Sequence, residues 1–337
     1  PLVLPMVMVW YGTAINPPED IGFDDGDPGR SPASWVGWSY DGERFYAAYT
    51  NGAGEAVPFS EDDAPDSCPN SPGTTCSDSG IPARFIQVAA VDISAAEHIE
   101  LCDEHSESKM CHSKIYDPIS PKGGLLLFGS GRPYRKSGLH LAFIQREEIG
   151  SVLPSTEKPI VQYWDGSGWS TDESDAVSIT HYPSGEDPPC DQYNEPNHSP
   201  GYDFATGEFK GCRPNFLPNW STAEKLVFGE FSVRLIDSAY EPRILLLNSN
   251  SWNTWDYYWQ SPLHEPWGGD FAGGTPAETK TSGYGPYIID AYSDDSYPGG
   301  GPRGDIVLWH TVSVWNGKKP PDNTPYGVYT GKEVIPW

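Results

Sequence analysis

Proline and glycine interrupt this chain about every fifth residue, with 34 prolines and 36 glycines among 337 positions. Proline has no amide hydrogen and clashes with the preceding helical turn, and glycine costs about 1 kcal/mol of helix propensity. Long helices cannot carry that density of breakers, so helical bundles, coiled coils and helical solenoids are excluded. Strands tolerate it, because a strand is complete within five or six residues and the breakers then serve as turns. The 13 Trp, 19 Tyr and 12 Phe point the same way. Rings suit half-buried pleated surfaces, and so many of them offset the ordering entropy that leaves polar chains disordered.

Strand-like runs recur along the whole sequence: Leu2–Trp10, Phe45–Thr50, Phe85–Val91, Leu125–Phe128, Leu139–Gln145, Ile160–Trp164, Phe228–Leu235, Arg243–Leu247, Tyr284–Ala291, Ile306–Val314 and Gly327–Thr330. Turn formers separate them, among them Asp41-Gly42, Asp165-Gly166 and Asn316-Gly317. The pattern predicts an all-β sandwich, barrel or propeller. Helix is confined to a turn or two at Ser94–Glu100 and Ser221–Lys225, each opened by a capping serine. No linker divides the chain, so residues 1–337 read as a single domain. Asn16–Ser34, Ser60–Ile81 and Pro183–Pro218 are poor in strand signal and read as long loops, where ligand contacts or mere decoration are both expected.

The formal net charge is −26. A field of that sign repels phosphate, so nucleic acid and anionic membranes are poor partners, and neutral or cationic ligands fit better. The six cysteines pair by proximity as Cys68 with Cys76, Cys102 with Cys111 and Cys190 with Cys212. Oxidised cysteines imply an extracellular, secreted protein. The acceptor sequences Asn197-His198-Ser199 and Asn219-Trp220-Ser221 agree with that expectation. Leu2–Trp10 is apolar but too short to span a bilayer, and it lacks the basic flank of a signal peptide. The chain starts at Pro1 and reads as processed or trimmed.

Three blocks carry candidate chemistry. In Leu125–Ile144 an apolar strand, a turn with Arg132, Tyr134 and Arg135, and an alternating second strand form a hairpin. Its guanidiniums suit vicinal hydroxyls or a carboxylate, or pair with local acids. In Leu226–Leu235, Glu230 lies inside an apolar strand, a costly place for a carboxylate that is neither paired nor functional. Alternation puts Glu230, Ser232 and Arg234 on one face. They read as a structural Glu230–Arg234 pair or as a general acid oriented by Arg234. In Tyr163–Trp169, Trp164 and Trp169 bracket a turn, and rings of this kind either fill a core or stack on sugars. Asp24-Asp25-Gly26-Asp27 suggests a structural calcium ion without the EF-hand spacing, and no other cofactor is expected. No HExxH, GxSxG or P-loop pattern occurs.

The order of the motifs FGSGRPYRKSGLHLA, YWDGSGW, GEFSVR, PWGG, YGPYII and SVWN resembles a secreted five-bladed β-propeller family long known only as a domain of unknown function. Some bacterial members are endo-D-arabinanases that cut mycobacterial arabinan. The resemblance covers roughly residues 120–330. It implies an active site at one mouth of the central channel. Glu230 matches the family's GE-x-S glutamate, and Tyr134, Arg135 and Ser137 match its YR-x-S turn. Two N-terminal stretches depart. Either Asp20-Ile21-Gly22 keeps the aspartate of a GTDLG stretch, or Ser34-Trp35-Val36-Gly37 aligns there and the acid is lost. Where FGDT is expected, the chain reads Ala48-Tyr49-Thr50-Asn51.

A glycosidase needs two carboxyls, about 5–5.5 Å apart for retention and about 6.5–9.5 Å for inversion. Glu230 is the expected acid and Asp20 its expected partner, with Asp165 and Asp92 as lesser options. Arg132, Tyr134, Arg135, Ser137, Trp164, Trp169 and Arg234 are the expected polysaccharide contacts. The alternative is a catalytically silent propeller that binds glycan or builds an extracellular assembly. In that reading residues 1–15 supply a strand that closes the ring against the last blade or pairs with a neighbouring subunit. A monomer is the expected state.

Overall fold

A computed structural model describes residues 7–13, 33–41, 43–61, 84–111, 122–130, 139–149, 154–179, 201–203, 208–210, 230–237, 242–249, 256–266, 270–271, 283–297, 305–314 and 327–336. These residues form an all-β fold of separate antiparallel sheets, each built from consecutive stretches of chain. The first sheet holds β1 (Val7–Thr13), β2 (Ala33–Ser39), β3 (Tyr46–Ala47) and β4 (Ser60–Glu61). β2 is its centre, with β1 on one edge and β3 and β4 sharing the other. The second is a meander of β5 (Gln87–Ile93), β6 (Gly124–Ser130), β7 (His140–Gln145), β8 (Gln162–Trp164) and β9 (Trp169–Ser170). A small hairpin follows, β10 (Gly201–Asp203) with β11 (Glu208–Lys210).

The third sheet is again a meander: β12 (Glu230–Asp237), β13 (Pro242–Ser249), β14 (Asp256–Pro262) and β15 (Asp270–Phe271). The fourth holds β16 (Gly283–Ile288), β17 (Asp294–Tyr297), β18 (Asp305–Val314) and β19 (Gly327–Pro336). There β18 is central, β19 runs along one edge, and β16 and β17 share the other.

Strand alternation explains how the sheets stack. A run such as Leu125-Leu126-Leu127-Phe128 is apolar on both faces, so it needs cover on both. On β6, Leu125 and Leu127 face a core shared with Val36, Trp38, Tyr49 and Phe59 of the first sheet and its loops. Leu126 and Phe128 face another core, shared with Ile244 and Leu246 of β13. On β13 the remaining pair, Leu245 and Leu247, joins Ile288, Ile306 and Leu308 of the fourth sheet. The sheets therefore pack face to face in chain order, first on second, second on third, third on fourth. Each fully buried Leu or Ile contributes roughly 1.5–3 kcal/mol to that stacking.

The first strands of the four sheets also lie beside one another: β1 touches β5, β5 touches β12 and β12 touches β16. For the last pair the direction is fixed. The Ile288 amide donates to Ser232 Oγ at 3.1 Å, and two residues further along each segment Arg234 meets Asp290. β12 and β16 therefore run the same way.

The helix expected at Ser94 is present as α1 (Ala95–Glu104), three turns long. Ser94 Oγ accepts from the Glu97 amide at 3.1 Å, and the Glu97 carboxylate accepts from the Ser94 amide at 2.6 Å. This reciprocal cap satisfies two otherwise orphaned donors. The disulfide Cys102–Cys111, one of the three expected, ties α1 to the turn that follows it. Cys68, Cys76, Cys190 and Cys212 lie outside the described residues, as do Ser221–Lys225 and both glycosylation sequences. The N-terminal strand begins at Val7, and its partner over its whole length is β2 in its own sheet, Val7 opposite Ser39 through Thr13 opposite Ala33. Residues 1–6 lie outside the described residues. Among the described residues no helix is long and apolar enough to cross a membrane.

Candidate functional site

Glu230 is the first residue of β12, in register with Ser249 of β13. Its strand sits between β5 and β16, at the centre of the row of first strands. Two other residues of the predicted polar stripe meet the fourth sheet. Ser232 is 9% exposed and its hydroxyl accepts from the Ile288 amide. The Arg234 side chain is largely buried, and its Nε lies 3.4 Å from the Asp290 carboxylate. The guanidinium thus holds the short helical turn Asp290–Tyr292 against β12. The Glu230 side chain lies outside what the structure describes.

Other expected residues fall into two groups. Asp20, the Asp24–Asp27 acids, and the turn with Arg132, Tyr134, Arg135 and Ser137 lie outside the described residues. Flanking that turn, Ser130 ends β6 opposite Gln87, and His140 begins β7. Trp164 and Trp169 are described and interior, 5% and 3% exposed. Their rings meet edge to face at 5.6 Å, and Trp169 Nε1 donates to the Lys109 carbonyl at 2.6 Å. Neither ring offers a face for a sugar to stack on.

The lesser acids have structural duties. Asp165 Oδ1 accepts from the amides of Ser167 and Gly168 and from the Ser167 hydroxyl, at 2.7–2.9 Å. That closes the turn in which Gly166 takes φ +89°, a conformation glycine adopts without penalty. Asp92 pairs with Arg146.

One carboxylate in an unusual setting escaped the sequence reading. Glu173 follows β9, and its Oε1 accepts from Ser60 Oγ at 2.6 Å and from the Arg84 amide at 2.8 Å. Burial pushes its carboxyl above the usual glutamate value, against the lowering pull of those two hydrogen bonds and of the Arg84 and Lys158 charges. Burial also pushes the adjacent Tyr163 hydroxyl up, helped by the charges of Glu173 and Asp172. The partners are 113 and 89 residues away in sequence, so no local pattern could have revealed them. Glu173 ties the second sheet to the first.

A second cluster, His98 with Cys102 and Cys111, gathers ligand-type atoms within 4.8 Å. Both sulfurs are joined in the disulfide. His98 Nδ1 accepts from the Gly123 amide at 3.1 Å, so its Nε2–H donates to the Met110 carbonyl at 3.0 Å. Burial pushes this imidazole below its usual value, and it stays neutral. The cluster therefore offers no thiolate and no free imidazole nitrogen to a metal ion.

No protein-family model matches the chain, and neither a curated protein nor a solved structure matches it.

Proposed function

We propose that the chain is a secreted five-bladed β-propeller that acts on a furanose-containing or related polysaccharide as a glycoside hydrolase, with Glu230 as its general acid. The observation that carries this reading is the row β1, β5, β12, β16, with Glu230 at the head of the strand in the middle of it. Sheets stacked face to face, with their first strands together, are the arrangement that lines the central channel of a propeller. The disulfide Cys102–Cys111 supports an oxidising compartment. Arg234 positions the strand through Asp290 rather than serving only as a counter-ion within β12. Asp20 is the proposed partner carboxylate, and Arg132, Tyr134, Arg135 and Ser137 are the proposed substrate contacts.

Release of reducing ends from a linear arabinan tests the reading. Glu230→Gln should lower the rate by about 10²–10⁴-fold, the usual worth of a general acid. Equal rates for variant and wild type reject Glu230. A wild-type chain that cuts no such polymer rejects the enzyme.

A second reading, a catalytically silent glycan-binding or assembly protein, is favoured by residues 48–51. Ala48-Tyr49-Thr50-Asn51 carry no carboxylate, and both Ala48 and Tyr49 are buried in the core between the first and second sheets. Burial pushes the Tyr49 hydroxyl up to about 12, so it supplies no base at neutral pH.

A further inference from the structure

The turn between β2 and β3 carries a ring surface that the channel does not use. Tyr40 is 54% exposed and Tyr46 56%, and both lean on one buried indole, Trp38, which is 7% exposed. Trp38 and Tyr40 meet edge to face at 4.7 Å. Tyr46 stands directly across the strand pair from Trp38, with ring centroids 5.7 Å apart. Trp38 itself is anchored in the core between the first and second sheets. The turn is pre-set: Asp41 Oδ1 accepts from the Ser39 hydroxyl and from the Glu43 and Arg44 amides, each at 2.9 Å. Glu43 and Arg44 are exposed and flank the rings with charged groups.

We infer that Tyr40 and Tyr46, backed by Trp38, form a stacking platform for a neutral polysaccharide chain, separate from the proposed catalytic channel. It rests on the glycan reading above but not on the cleavage chemistry. The negative face of an aromatic ring attracts the C–H face of a sugar, and the phenol hydroxyls and charged rim hydrogen-bond its hydroxyls. A polyanion is disfavoured by the net charge of −26. A second copy of the chain is disfavoured by the same charge. The rings also expose only about 200–300 Å², against about 800 Å² per partner in a stable interface. The platform lies apart from the junction with the second sheet's first strand. Ser34, at the far end of β2, donates its hydroxyl to the carbonyl of Phe85, just before β5. Ser39 is five residues further along, about 17 Å at strand rise.

Affinity electrophoresis of the full chain in gels holding linear arabinan, a soluble β-glucan or polygalacturonate tests this. One neutral polymer should retard the wild type, and polygalacturonate should not. Tyr40→Ala with Tyr46→Ala should weaken retardation at least about tenfold. The paired Tyr→Phe variant should keep most of it, and each single Ala variant should show a partial loss if the double variant does not fold. Three results overturn the platform: no retardation by either neutral polymer, retardation unchanged in the Ala variants, or a wild-type dimer by light scattering that the Ala variants dissolve. Binding without cleavage leaves the platform standing and removes the enzyme. Cleavage with binding indifferent to Tyr40 and Tyr46 does the reverse.

Discussion

Two hairpins of this molecule share one local recipe and reach opposite outcomes. Trp164-Asp165-Gly166-Ser167-Gly168-Trp169 joins β8 to β9, and Tyr40 to Tyr46, around Asp41-Gly42, joins β2 to β3. In each, an Asp-Gly step is bracketed by rings, and the aspartate Oδ1 gathers three donors of its own turn. In the first hairpin the rings are interior, packed with Phe143 between the second and third sheets. In the second, only Trp38 is interior, and Tyr40 and Tyr46 remain half exposed. Turn chemistry sets the reversal of the chain. What stands opposite the sheet face sets whether the rings are buried in the fold or left half exposed.

The contrast predicts a large difference in stability. Trp169→Ala removes a buried ring and leaves the Lys109 carbonyl without its donor. It should cost about 4 kcal/mol in urea unfolding. Tyr40→Ala, at an exposed site, should cost less than about 1 kcal/mol in the same assay. A comparable loss at Tyr40 would mean that its ring is a structural element and would remove the distinction between the hairpins.

The same contrast explains what was legible in the sequence. Turn formers and apolar runs identified most strands, because β6 and β13 are buried on both faces and read as unbroken apolar runs. Ser94 announced its helix through a purely local cap, although α1 runs to Glu104, past the expected end. β2 was missed, since Ser34, Gly37 and Ser39 dilute its apolar character. β14 was missed too, because its aromatic run serves equally to fill a core or to stack on sugars and shows no alternation that marks a strand. Trp164 and Trp169 were ambiguous for the same reason, as ring content does not say which side of a sheet is covered. Glu173 was invisible because its partners come from the other sheet. The Arg234–Asp290 contact likewise joins different sheets.

The turn itself offers a smaller, sharper test. Gly166 holds φ +89°, and a Cβ there would also sit 3.3 Å from Val177 Cγ2. Gly166→Ala should cost about 1 kcal/mol, chiefly from the left-handed backbone. It should leave the Trp169 environment intact, read as unchanged tryptophan emission. A blue or red shift of that emission would show that turn geometry, not the opposing sheet, decides where the rings go.

The smallest predicted effect lies at the joint between the two regions, where β8 carries Tyr163 towards the first sheet and Trp164 away from it. Glu173 closes that joint through Ser60 and Arg84. Burial holds its folded-state value above the ordinary 4.5, so the folded chain binds this proton more tightly than the unfolded one. Its contribution is full below pH 4.5 and is lost as pH rises through the folded value. A neutral isostere escapes that loss while keeping an acceptor oxygen for Ser60 and the Arg84 amide. Glu173→Gln should therefore be more stable than wild type at pH 7, with the advantage shrinking as pH falls towards 4.5, in paired denaturant titrations across that range. An advantage that grows towards acid, or a variant weaker at pH 7, would mean that attraction to Arg84 outweighs desolvation. The joint would then be held by charge, and the exposed and buried hairpins would be coupled by an ion pair rather than by packing.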